Sequence, residues 1–195
     1  YVKFQKRNPE LCVPKNQQYV MKETPWGKVT YLDYRKKMEF DLRQYEEITS
    51  HCDSIEQPYF FSVWDRDSIE FALTFDVDFI KIPSALATDV DFITECRNND
   101  ASLIVSTGAC SQHDVDRIMD ACGDDIECLM HCTSTYPGRA EEQNLSIIPQ
   151  WKRSYPDTQI GFSNHFQGIT AILGAVALGA EMVEFHVTLD RTMWG

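Results

Sequence analysis

No stretch of this sequence approaches the roughly 18 consecutive apolar residues that a membrane-spanning helix needs, and the N-terminus has no charged-then-apolar signal arrangement. Positive charge is scarce: 18 lysines and arginines stand against 30 acidic residues, a formal net charge of −12. That balance argues against non-specific binding to nucleic acid or anionic lipid, and any anionic ligand must meet a local positive site. A glycine-rich dinucleotide fingerprint is missing, since STG at 106–108 is too short to qualify. The seven cysteines are odd in number and lack paired spacing, which points to reduced thiols and a cytoplasmic protein rather than a disulfide framework.

What is present is an alternation of short apolar runs and amphipathic stretches. With 195 residues and 43% hydrophobic content, the chain has enough for a single domain over 1–195. Strands are expected at 1–6, 59–64, 79–82, 102–106, 127–132, 159–163 and 182–187. Helices are expected near 30–52, 65–75, 88–99, 111–121, 143–155 and 166–179, several opened by capping residues such as Thr88, Ser111 and Asn144. The stretch AILGAVALGA has the length of a crossover between parallel strands.

Strict alternation leaves two α/β architectures, a doubly wound open sheet or a β/α (TIM) barrel. Polar residues favour the barrel. Lys3 and Gln5, Ser62, Lys81 and Ser84, Ser106 and Thr107, His131 and Thr133, Ser163 and His165, and Glu184 and His186 all lie in or just past a strand. A barrel gathers such ends into one mouth, whereas an open sheet spreads them along an edge. Barrels of this type usually need about 250 residues, so the chain is expected to be incomplete, lacking the first βα unit and the last helix and presenting strands 2 to 8.

The polar ends suggest a pocket. His165 in GFSNH and His186 in VEFHVTLDR end neighbouring strands, and two neutral imidazoles aimed at one point make half of a divalent-metal site. Lys3 and Lys81 sit in apolar strand segments, where a lysine is costly unless it meets an anion. Ser84, Ser106, Thr107 and Ser163 offer hydroxyl donors beside them, of the kind that cradle phosphate oxygens. Together these residues suggest a small phosphorylated acid bound beside a metal that acts as a Lewis acid. Tyr136 in CTSTYP, with Gln5, is placed to hold the hydroxyls of a polar second substrate.

The runs VKFQKRNPELCVP, TPWGKVTYLDYRKKMEF, FDVDFIKIPSA, STG, HCTSTYP, NLSIIP, IGFSNH and GAVALGAEMVEFHVTLDRTMWG resemble the sialic acid (N-acylneuraminate) synthases over nearly the whole chain. The resemblance implies a β/α barrel that condenses phosphoenolpyruvate with an N-acyl hexosamine, N-acetylmannosamine or its 6-phosphate, giving a nonulosonic acid and phosphate. It implies that Lys3, Lys81, Ser84, Ser134 and Ser163 bind phosphoenolpyruvate and that Gln5 and Tyr136 face the amino sugar. It assigns metal ligation to His165 and His186, around manganese or, in its place, magnesium. Lys3, Lys81 and His186 are the residues expected to carry the chemistry.

The sequence departs from the family pattern at Leu86, where some members have a glutamate, and at Asn164, often an aspartate. A first strand with an acidic residue and an asparagine-histidine pair is expected to be absent. So is a C-terminal antifreeze-like domain, through which full-length members pair as homodimers. Two other readings of the same residues are a related metal-dependent keto-deoxy sugar acid synthase or aldolase, and a non-catalytic binding barrel.

Overall fold

A computed structural model describes residues 1–97 and 101–193. Residues 98 and 99 of the helix expected over 88–99, and Trp194 and Gly195 of the closing TMWG run, lie outside the described residues. The chain divides into two compact units, residues 1–77 with 188–195 and residues 78–187.

The first unit runs β1 (Val2–Lys6), α1 (Pro9–Cys12), β2 (Met21–Thr24), β3 (Gly27–Thr30), α2 (Tyr31–Met38), α3 (Leu42–Ser54), β4 (Tyr59–Val63) and α4 (Arg66–Ala72). β1 and β4 pair in parallel, with Lys3 opposite Phe60 and Gln5 opposite Ser62. Successive strand residues alternate faces. Phe4 turns into an aromatic cluster around the fully buried Phe61, which Tyr45, Phe71 and Phe75 complete, their rings 5.1–5.9 Å from that of Phe61. Lys3, Gln5 and Arg7 therefore share the opposite face.

Two features here differ from the sequence-based expectation. β2 and β3 form an antiparallel hairpin turned at Gly27, whose φ of +89° is a conformation that other residues rarely adopt. Its strands are largely exposed, so they carry no apolar alternation to read. The helix expected over 30–52 is also two helices. The backbone is extended at Glu39, whose carboxylate turns back to Arg7, and Asp41 starts α3 through a capping box with Gln44.

The second unit alternates strictly: β5 (Phe79–Ile82), α5 (Val90–Arg97), β6 (Ser102–Ser106), α6 (Gln112–Cys122), β7 (Ile126–Cys132), α7 (Ile147–Ser154), β8 (Gln159–Asn164), α8 (Thr170–Ala177) and β9 (Met182–Phe185). Its five strands pair in parallel in chain order. Ile80, Ile82, Leu103, Val105, Leu129, Ile160 and Phe162 are buried, as expected when helices cover a parallel sheet. Ser111 caps α6 in a capping box with Asp114. Asp89, not Thr88, caps α5 by accepting from the Phe92 amide, because α5 begins one residue later than the pattern suggests. Asn144 caps nothing: it takes a left-handed conformation and α7 begins after Ser146.

The sheet of this unit is curled. Lys81 on β5 lies 3.5 Å from the carboxylate of Glu184 on β9, although β6, β7 and β8 stand between those strands. In a flat sheet, four spacings of about 4.8 Å would hold them about 19 Å apart. Only a sheet closing toward a barrel brings them together.

Candidate active site

Parallel strands send all their C-terminal ends to one side, and in the second unit that side collects the polar residues. Lys81 is 2% exposed, on the concave face of β5. Its ammonium donates to Ser106 Oγ on β6 at 2.6 Å and pairs with Glu184, whose other oxygen accepts from Ser163 Oγ on β8 at 2.9 Å. One buried cation, one carboxylate and two hydroxyls are thus linked in a row across the curl. An unpaired charge here would cost several kcal/mol, on the order of 3–5. Glu184 joins this polar group although sequence reasoning left it without a role; a lone carboxylate in the apolar strand MVEFH was its signal.

Ser84 and Ser134 belong to the same group. Ser84 Oγ accepts from the Gly108 amide at 2.9 Å. A Cβ on Gly108 would lie 2.5 Å from Ser134 Oγ and 2.9 Å from both Ser84 Oγ and Cys132 Sγ, so only glycine lets these three side chains converge. Burial raises the Cys132 thiol, against the pull of the Ser84 and Ser163 hydroxyls and of Lys81, and it stays protonated at neutral pH. Thr107 turns its hydroxyl to the Met130 carbonyl at 3.0 Å.

The two histidines end β8 and β9 side by side, with ring centroids 5.4 Å apart and planes inclined by 22°. His165 Nδ1 lies 2.6 Å from the Thr133 carbonyl oxygen, which places the proton on Nδ1 and the lone pair on Nε2. Burial, the largest influence, lowers the pKa of His165, with the charge of His186 adding to the effect. The Tyr136 hydroxyl hydrogen-bonds to His165 Nε2 and lies 3.5 Å from His186 Nε2, so both ring nitrogens converge on one oxygen. Tyr136 is 67% exposed, yet its hydroxyl end is desolvated against the imidazoles, and its pKa is pushed up to about 12.

Among the described residues no group of three or more His, Cys, Asp or Glu side chains gathers as a metal cluster. Two imidazole nitrogens converging on one oxygen fit a divalent ion that keeps its remaining positions for oxygen ligands. His131, expected with the polar ends, points away from them. It is buried against Trp151 and Phe162, with Nε2 2.7 Å from the Gln143 carbonyl, and burial lowers its pKa.

Lys3 and Gln5 belong to the first unit and are half-buried on β1. Gln5 Oε1 accepts from the Arg7 guanidinium, and its backbone carbonyl accepts from Tyr45 at 2.8 Å. A cavity of about 810 Å³ lies elsewhere, at the opposite, N-terminal ends of β6, β7 and β8, around the ion pair of Arg97 and Asp125. It holds neither Lys81 nor the histidines, so chemistry and not cavity size marks the site.

The model of the NeuB family matches residues 1–195. The chain is 35% identical over 173 residues to N-acetylneuraminate-9-phosphate synthase of Drosophila melanogaster, covering 87% of this chain and 46% of that protein. It is 28% identical over 203 residues to N,N'-diacetyllegionaminic acid synthase of Campylobacter jejuni, covering 100% of this chain and 60% of that one. The chain thus spans about half the length of these curated relatives. Among solved structures, N-acetylneuraminic acid (sialic acid) synthetase of Leptospira borgpetersenii superposes with a TM-score of 0.86 at 26% identity, over 97% of this chain and 63% of that one.

Proposed function

The chain belongs to the NeuB family, and on that premise we propose that this protein condenses phosphoenolpyruvate with an N-acyl hexosamine, N-acetylmannosamine or its 6-phosphate, to give a nonulosonic acid and inorganic phosphate. The observation that carries this reading is the buried ammonium of Lys81, set among hydroxyls at the same strand ends as two convergent imidazoles. A cation in a dry cleft suits a small polyanion, and convergent imidazoles suit a divalent ion.

In this reading Lys3, Lys81, Ser84, Ser134 and Ser163 bind phosphoenolpyruvate, and Gln5 and Tyr136 bind the sugar. His165 and His186 would hold manganese, or magnesium in its place, which supplies Lewis acidity toward a carbonyl oxygen when bound. Lys81 offsets charge on the phosphoenolpyruvate carboxylate and phosphate, and Ser106 orients its ammonium. The methylene carbon of phosphoenolpyruvate bonds to the sugar aldehyde carbon, and the aldehyde oxygen takes up a proton. Water then adds at the former enol carbon, and phosphate departs as the C–O bond breaks. The thiol of Cys132 and the hydroxyl of Tyr136 stay protonated at neutral pH, so each can only donate or accept a hydrogen bond.

The strands correspond in this reading to strands 2 to 8 of a β/α barrel, and the full-length protein acts as a homodimer. All seven cysteines are free, which supports a cytoplasmic setting. Among the described residues no helix is long and apolar enough to cross a membrane.

The test is manganese-dependent phosphate release from phosphoenolpyruvate with N-acetylmannosamine, its 6-phosphate, a diacetylated hexosamine or no sugar. It is run on this chain and on the full-length protein. Sugar-dependent release by the full-length protein is expected and names the acceptor. Silence with every acceptor overturns the synthase reading.

A further inference from the structure

The first unit carries an arginine, Arg7, that the reaction as described leaves without work. At the C-terminal ends of β1 and β4, the Arg7 guanidinium lies over the Trp64 ring at 4.6 Å, its Nε is 3.0 Å from Glu39 Oε1, and its Nη2 donates to Gln5 Oε1. The Arg7 backbone amide adds a bond to Glu39 Oε2 at 3.3 Å. Arg7 is thereby held on three sides.

The consequence falls on Gln5. A carboxamide can turn either its oxygen or its NH2 toward a neighbour, and a guanidinium has only donors, so Arg7 accepts only the oxygen. The NH2 of Gln5 must face the other way, and it makes no hydrogen bond among the described residues. Two further donors lie close by: the buried indole N–H of Trp64 and the Nε–H of Arg7, whose approach to Glu39 is an ion pair, make no hydrogen bond among the described residues. A buried indole N–H ordinarily finds a partner. The carboxylates at these strand ends are already engaged. Glu39 takes Arg7 and Lys6, and Asp65 takes the Asn8 amide, both donors of Ser68 and the Cys12 thiol. What is left over is donors, and a complementary ligand brings acceptors: hydroxyl oxygens or an acyl carbonyl.

We propose that Arg7 is a positioning residue that aims the N–H donors of Gln5 at an acceptor oxygen of the amino sugar. The proposal rests on the reading that Gln5 faces that sugar. It adds what sets the direction of the contact, and so its preference for acceptor over donor groups.

Gln5→Glu, Arg7→Met and Arg7→Lys in the full-length protein test it, with KM for sugar and for phosphoenolpyruvate, kcat and thermal unfolding measured on each. Gln5→Glu keeps the partner of Arg7 and strengthens it to an ion pair while deleting the N–H donors. Sugar KM should rise about tenfold, with the KM of phosphoenolpyruvate and the unfolding temperature held or raised. Arg7→Met frees the carboxamide to turn and should raise sugar KM several-fold, and Arg7→Lys, which can still donate to Gln5 Oε1, should recover most of that loss. A merely structural role for Gln5 predicts the reverse pattern, parental sugar KM in Gln5→Glu, and that result overturns the proposal even if Arg7→Met fails to fold. If the parent protein releases phosphate without any need for sugar, the synthase reading falls and this inference falls with it. Sugar dependence in the parent with unmoved sugar KM in the variants sinks the inference alone.

Discussion

The two units solve the problem of covering a parallel sheet in different ways. Two strands cannot shield their own faces, and the first unit closes over β1 and β4 with large rings: Phe4, Tyr45, Tyr59, Phe61, Phe71 and Phe75 meet edge to face or tilted. Strands β5 to β8, largely buried on both faces, are filled mainly by aliphatics such as Ile80, Ile82, Leu103, Val105, Leu129 and Ile160, with Phe162 among them. The polar ends differ accordingly. In the second unit Lys81, Ser106 and Ser163 are buried, and each is tied by short bonds across the curl. In the first unit Lys3, Gln5 and Arg7 are half-buried. Dry surroundings strengthen charge, which suits chemistry, and partly wet ones leave room to recognise a hydroxylated ligand.

The sharpest way to break this comparison is at the ring on which the first unit is built. Phe61→Ala should cost about 3–5 kcal/mol in urea unfolding, more than Val105→Ala in the aliphatic core of the second unit. Equal losses would mean that the aromatic cluster is ordinary filling. Next in size, His186→Ala should weaken manganese binding by more than about 100-fold, read by calorimetry without substrate, since ligand loss exceeds the 10–100-fold typical of outer-shell changes. Retained affinity would remove His186 from the metal site.

Lys81→Met should raise the KM of phosphoenolpyruvate at least about tenfold while manganese affinity holds, and an unchanged KM would return that lysine to a structural role. A smaller effect comes from pH. Burial lowers the folded-state pKa of both His131 and His165, so the unfolded chain binds more protons. Stability should therefore be full above the ordinary histidine value of about 6.5 and fall as pH drops through and below it. Thermal unfolding between pH 5 and 8 checks the sign, and His131→Gln should flatten the slope. Smallest, Ser111→Ala should cost about 1 kcal/mol through loss of the α6 cap.

Much of the fold was legible, for local reasons. Strands at 79–82 and 102–106 emerge at the expected residues because short apolar runs between turn signals are buried on both faces. The exposed hairpin of β2 and β3 left no such trace. The break before α3 was readable at Asp41 and Gln44, a capping pair inside an otherwise continuous pattern. At the candidate site, Ser84, Ser163, His165 and His186 were legible as polar residues in or just past strand ends and Tyr136 as a loop residue, whereas Ser134 came only from the family resemblance. Gly108 was not, because its role is close approach by three side chains from other segments.

The amino-acid sequence by itself determined the alternation of strands and helices and which polar side chains would stand at the strand ends, because periodicity and capping act over a few residues. Tertiary structure alone decided that Lys81 meets Glu184, that His165 and His186 converge on Tyr136, and that Gln5 turns its oxygen to Arg7. Those pairings depend on the twist accumulated over successive strands and on which residue reaches back across a turn, and neither is a property of any short stretch of chain.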